Sequence, residues 1–164
     1  MDTNELINKI VGELTSVKEI KAVVLGGSYA TGLNRSDSDI DFGLYYEKQH
    51  PLDINKLSQV IEKLGAKKTS IICTIGEWGR WMNGGTWLKI GNQRVDFIYR
   101  EIGFVNQTID ECLQGKYHTD YYQQPAFGFY SYIYNAETKY CKTLYDPSQI
   151  VSFMKQKVIL IRQH

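Results

Sequence analysis

Residues 23–46 read VVLGGSYATGLNRSDSDIDFGLYY, and this stretch decides the fold. An apolar run, Val23-Val24-Leu25, stops at Gly26-Gly27-Ser28, and ten residues separate Ser28 from Asp39-Ile40-Asp41. The pattern predicts a buried strand, a glycine-serine turn, a short helix and a second strand carrying carboxylates. Side chains at i and i+2 of a strand share a face, so Asp39 and Asp41 point together while Ile40 and Phe42 point the other way. Two carboxylates held side by side raise each other's pKa. A hard divalent cation such as Mg²⁺, which takes oxygen ligands, relieves that repulsion. Geometry alone makes this pair a candidate cation site.

Outward from that stretch, the chain has 164 residues, which suits one domain able to bury about two-thirds of its unfolded surface. A net charge of +1 gives no global field for nucleic acid or an anionic membrane. Cys73, Cys112 and Cys141 are odd in number and lack CxxC spacing, which predicts reduced thiols rather than a disulfide framework or a zinc site. The N-terminus, MDTNELINKIVGELTSV, lacks a basic start and an apolar core, so it does not read as a signal peptide. No run approaches the roughly 18 apolar residues of a membrane span. A cytoplasmic protein is expected.

In chain order, Leu6, Ile7, Ile10, Val11 and Leu14 predict an amphipathic helix over residues 3–15, followed by a strand over 20–25. One or two helical turns are expected over 28–33, and the carboxylate strand over 38–47. Asp53 should cap a helix striped by Leu57, Val60, Ile61 and Leu64 and ended by Gly65. Residues 69–75 read as a third strand. Residues 76–87, GEWGRWMNGGTW, read as a loop, and a hairpin turning at Gly91-Asn92-Gln93 follows. In the second arm of that hairpin Asp96 is an acidic group in an otherwise buried strand. Residues 101–113 are helical in pattern. Pro125 suits the first turn of a helix reaching Tyr140, and Asp146-Pro147-Ser148 breaks the chain before a last helix lined by Ile150, Met154, Val158 and Ile161. Its apolar end, VILI, should bury against this domain or a partner.

Gly-Gly-Ser between strand and helix can cradle phosphate through backbone N–H groups and the Ser28 hydroxyl. Combined with Asp39, Asp41 and Asp96, the set describes a nucleoside triphosphate site in which paired cations activate an attacking oxygen and stabilise leaving pyrophosphate. These residues resemble the nucleotidyltransferase superfamily that includes DNA polymerase beta. Ser38-Asp39-Ile40-Asp41-Phe42 is similar to the signature of small bacterial members, both antibiotic-modifying and minimal nucleotidyltransferases. Looser similarity runs through WGRWMNGG and VDFIYR to about Pro147.

The resemblance implies an α+β fold with a mixed sheet flanked by helices and a helical C-terminal portion. It divides the chain into a nucleotidyltransferase domain over 1–115 and a helical extension over 116–164, shorter than in longer members. By resemblance, Gly27 and Ser28 hold the β- and γ-phosphates, Asp39 and Asp41 ligate magnesium, and Asp96 ligates the catalytic metal and helps deprotonate the acceptor. Two Mg²⁺ ions and an NTP donor, ATP included, are implied. The expected partners are the NTP and a small hydroxylated acceptor resembling an aminoglycoside, with a homodimer as candidate assembly and neither membrane nor nucleic acid involved. A HEPN-type toxin adenylylated by an antitoxin is the alternative acceptor, and a non-catalytic nucleotide-binding module is the alternative from another class. The chain departs from many small members at Tyr29, where they carry arginine.

Remaining candidates each have a plainer reading. Arg35 could steer a triphosphate, though a lone loop arginine is usually solvated. Asp37 reads as a turn residue. Trp78, Trp81 and Trp87 could stack on a base or sugar or simply pack the loop. Arg80 and Lys89 are candidate phosphate partners, while His118 reads as a surface residue. Tyr121, Tyr122, Tyr130 and Tyr134 read as core and interface rather than an aromatic cage.

Overall fold

The computed structural model describes residues 2–121 and 128–159. Helix α1 (Thr3–Leu14) opens with a capping box. Asp2 accepts from the Glu5 backbone N–H at 2.8 Å, and Glu5 accepts from that of Asp2 at 3.0 Å. Strand β1 (Ala22–Leu25) is buried throughout and leads into α2 (Gly27–Thr31). Strand β2 (Ile40–Tyr46) runs antiparallel to β1, and α3 (Ile54–Lys63) follows, capped by Asp53, which accepts from Asn55 and Lys56 at 3.0 and 3.1 Å. The chain continues through β3 (Ile71–Ile72), α4 (Gly79–Met82), β4 (Gly85–Ile90), β5 (Gln93–Glu101) and α5 (Ile102–Leu113). A small pair, β6 (Thr119–Asp120) and β7 (Phe129–Tyr130), precedes α6 (Ile133–Tyr140), β8 (Lys142–Tyr145) and α7 (Ile150–Ile159).

The main sheet has six strands in the order β3-β4-β5-β2-β1-β8. Among the described residues only β2 and β5 pair in parallel; the return between them passes through α3, β3, α4 and β4. Alternation along β2 sends Ile40, Phe42 and Leu44 into a core beneath α1 and α3, where Phe42 meets Phe97 edge to face at 5.7 Å. The opposite face, carrying Val24 and Tyr45, is covered by α5, α6 and α7 through Val105, Ile109, Tyr134, Val151 and Met154. Asp41 belongs to this second face. Among the described residues, no helix is long and apolar enough to cross a membrane.

Four local expectations change. The strand read over 69–75 contracts to Ile71–Ile72. Residues 76–87 are not all loop: they contain α4 and the start of β4, where pairing of Gly85, Thr86 and Trp87 with β5 overrides the poor strand tendency of glycine. The helix ending at Tyr140 begins at Ile133, after β7. Pro125, Tyr122 and the Leu160-Ile161 end of the last helix lie outside the described residues. Finally β8, unanticipated, pairs with β1 at the edge of the sheet, and its largely exposed side chains carry no alternation to betray it. Asp146 starts α7 by accepting from the Ile150 and Ser152 N–H groups at 2.7 and 3.0 Å.

Candidate active site

The turn between β1 and α2 is tied to the carboxylate strand. Gly26 N–H donates to the Asp41 carbonyl at 2.8 Å, and Gly27 sits at φ 55°, in the left-handed region. A Cβ on Gly27 would lie 2.0 Å from Asp41 Oδ2. Glycine is required here both for its backbone and because the Asp41 carboxylate fills the space a side chain would take. Ser28 follows, half-buried, on the first turn of α2. Lys142 of β8 donates to the Tyr29 carbonyl at 3.0 Å, which brings a cation beside this short helix.

Parallel register sets Asp41 directly beside Asp96. Adjacent strands lie about 4.8 Å apart, so the two half-buried carboxylates are neighbours on one face of the sheet. Burial, then the charges of Asp39 and Glu137, pushes Asp41 up from 3.8 to about 6. Burial, then Asp41 and Asp39, pushes Asp96 up from 3.8 to about 6, with Arg94 opposing. A hard cation between them would discharge both, so the donor chemistry fits Mg²⁺.

Asp39 is near enough to act on both pKa values, but its carboxylate is engaged by Arg94 Nε at the start of β5. Arg94 Nη2 also donates to the Asp37 carbonyl at 3.0 Å, and Gln93 Nε2 to the Ser38 carbonyl at 2.8 Å. The hairpin end thereby clasps the entry to β2. Among the described residues, no three His, Cys, Asp or Glu side chains are grouped to hold a metal ion. The structure brings Asp41 and Asp96 together and holds Asp39 to one side. Arg35 stands exposed in the preceding loop, its backbone N–H bonded to Ser38 Oγ at 2.8 Å, and Asp37 is exposed beside it.

A cleft of about 310 Å³ opens between the sheet and helices α2 and α6, bordered by Gly27, Asp41, Gly43, Ile98, Arg100 and Glu137. Arg100 is only 4 % exposed and makes paired bonds to Glu137, Nε at 3.1 Å and Nη2 at 2.9 Å. It also donates to the Tyr99 carbonyl at 3.3 Å and lies 5.1 Å from the Tyr134 ring. The Glu137 carboxylate, 36 % exposed, looks into the cleft from the opposite wall.

Sequence reasoning missed Arg94, Arg100, Glu137 and Lys142. Arg94, Asp96, Ile98 and Arg100 share one face of β5 by strand period, so the two arginines were findable. Glu137 and Lys142 were not, because their neighbours come from 37 and 113 residues away.

The tryptophans divide. Trp81 is core, 5.3 Å from Phe129 and 5.6 Å from Phe104, and its carbonyl accepts from the buried Tyr134 hydroxyl. Trp78 and Trp87 stack on each other at 4.8 Å. Arg80 lies exposed 5.2 Å from the Trp81 ring, and Lys89 is exposed on β4. His118 pairs with Glu111 at 3.1 Å on the surface. Tyr121 and Tyr130 are exposed, so of the described tyrosines in that group only Tyr134 is core.

No curated protein matches the chain. One similar solved structure, described as "Crystal structure of the toxin-antitoxin with AMP-PNP", shares 17% identity at a TM-score of 0.43, covering 96% of this chain and 86% of that one. Residues 5–105 match the nucleotidyltransferase domain family. That match contains β1, the glycine turn, β2 and β5, the elements that carry Gly27, Ser28, Asp39, Asp41 and Asp96. The chain belongs to the nucleotidyltransferase domain family, whose members transfer phosphorus-containing groups.

Proposed function

We propose that the protein moves a nucleotidyl group from an NTP to a hydroxyl of a small molecule in a Mg²⁺-dependent reaction. The observation that carries this reading is the parallel register of Asp41 with Asp96 beside the Gly26-Gly27 turn. Asp41 and Asp96 would hold magnesium, joined by Asp39 once Arg94 lets it go. Bound there, the metal supplies charge neutralisation for the triphosphate and for the departing pyrophosphate. Gly27 and Ser28 are assigned to the β- and γ-phosphates. Asp96, the carboxylate farthest along the sheet from the glycine turn, is assigned the proton of the acceptor hydroxyl. That oxygen bonds to the α-phosphorus as the bond from phosphorus to pyrophosphate breaks.

The test incubates the protein with radiolabelled NTPs and Mg²⁺ in two pools: hydroxylated compounds including aminoglycosides, and a lysate holding protein partners. Label in a small molecule is expected. Label in a protein band would establish a protein acceptor instead. NTP binding without any transfer would reduce the protein to a binding module. Asp39→Ala and Asp41→Ala are each expected to abolish pyrophosphate release with the circular dichroism spectrum unchanged.

A further inference from the structure

The functional residues run across the sheet in a line. The phosphate turn follows β1, Asp41 is on β2, Asp96 on β5, and Trp87 on β4 directly opposite Asp96. Residues directly opposite in an antiparallel pair have Cβ atoms about 5 Å apart and share a face, so the indole of Trp87 stands beside the Asp96 carboxylate. Trp87 is 51 % exposed, which is unusual for the largest side chain in a central stretch of sheet.

Its position is built. Gly85, two residues earlier on the same face, leaves room for the Trp78 ring, since a Cβ there would lie 2.7 Å from it. Trp78 is anchored by its Nε1 donating to Cys73 Sγ at 3.1 Å, and it stacks on Trp87 with the planes 23° apart. One indole face is therefore propped and the ring is presented beyond the carboxylates.

In-line displacement requires the attacking oxygen to approach the α-phosphorus from the side opposite the leaving pyrophosphate. With pyrophosphate at the β1 turn, the attacking hydroxyl arrives from the β4 side, over Trp87. We propose that Trp87, propped by Trp78, is the platform on which the acceptor lies, and that the acceptor is a hydroxylated ring compound with a flat apolar face, such as a pyranose. The assignment rests on the nucleotidyl-transfer reading and adds to it the surface that holds the acceptor ring. The acceptor hydroxyl beside the stacked ring loses its proton to Asp96 and forms the new bond to phosphorus. The platform contributes binding and orientation only.

The experiment uses the full chain with radiolabelled NTPs, Mg²⁺ and three probes: kanamycin, methyl glucoside and a serine-containing peptide. Transfer to a sugar is expected. In Trp87→Ala the KM for that sugar should rise about tenfold, the loss of one stacking contact, while the KM for the NTP stays within about twofold. Trp87→Phe, which keeps a flat ring, should recover most of the loss. An unchanged sugar KM in Trp87→Ala overturns the platform, as does a rise in NTP KM alone. Transfer to the peptide only, or to no probe although NTP binds, overturns the ring-acceptor class while leaving the nucleotidyl-transfer reading standing. Absence of NTP binding in the wild-type protein removes that reading itself, and the platform with it.

Discussion

Asp96→Asn should make the protein more stable at neutral pH while removing its turnover. In the folded protein burial and the neighbouring carboxylates raise the Asp96 pKa from 3.8 to about 6. The folded state therefore holds this proton more tightly than the unfolded chain does. The stability gained from protonation is complete below about pH 4 and is lost as pH rises through about 6. At pH 7.5 the wild-type carboxylate is ionised and carries the whole penalty, at most ~3 kcal/mol for a displacement of that size. Part of it is relieved by water in the open cleft, and part persists in Asp41, which leaves about 1–2 kcal/mol for asparagine to recover. For a chain of this length that is a rise in Tm of about 4 °C. Thermal denaturation in EDTA at pH 7.5 and at pH 4 measures it, with the gain expected at the first pH and absent at the second. Added Mg²⁺ should raise the wild-type Tm and narrow the difference, because a ligand of the folded state stabilises by mass action. An asparagine variant of equal or lower stability at pH 7.5, or one with the same gain at pH 4, would refute the claim that carboxylate crowding shapes this site.

Three further outcomes are expected. Arg94→Gln frees Asp39 from its ion pair, and since an exposed pair is worth about 0.2–1 kcal/mol, Mn²⁺ affinity without nucleotide should rise about threefold by paramagnetic resonance; a fall would mean that Arg94 orders the site instead of competing for it. Glu137→Ala leaves a buried guanidinium without its partner and should lower stability by about 2–3 kcal/mol in urea, with Glu137→Gln losing less. Gly27→Ala forces a Cβ against Asp41 Oδ2 in a left-handed backbone; it should cost about 1–2 kcal/mol by thermal denaturation and most of the NTP turnover.

Much of the candidate site was legible from local pattern. The Val23-Val24-Leu25 run, the glycine turn and the alternation of Ile40, Phe42 and Leu44 against Asp41 follow from strand period and glycine's backbone freedom, both short-range rules. The Asp53 and Asp2 caps were or could be read in the same way. Tertiary structure decided everything that depends on which strands become neighbours. It placed Asp41 beside Asp96 across 55 residues, turned Asp39 towards Arg94, and drew Gly85 and Trp87 into a strand because β5 offered them partners. It also added β8 to the sheet and lowered Glu137 onto Arg100. Sequence period sets which face a side chain occupies. What that face meets is set by long-range pairing and packing, whose partners leave no mark in the local pattern.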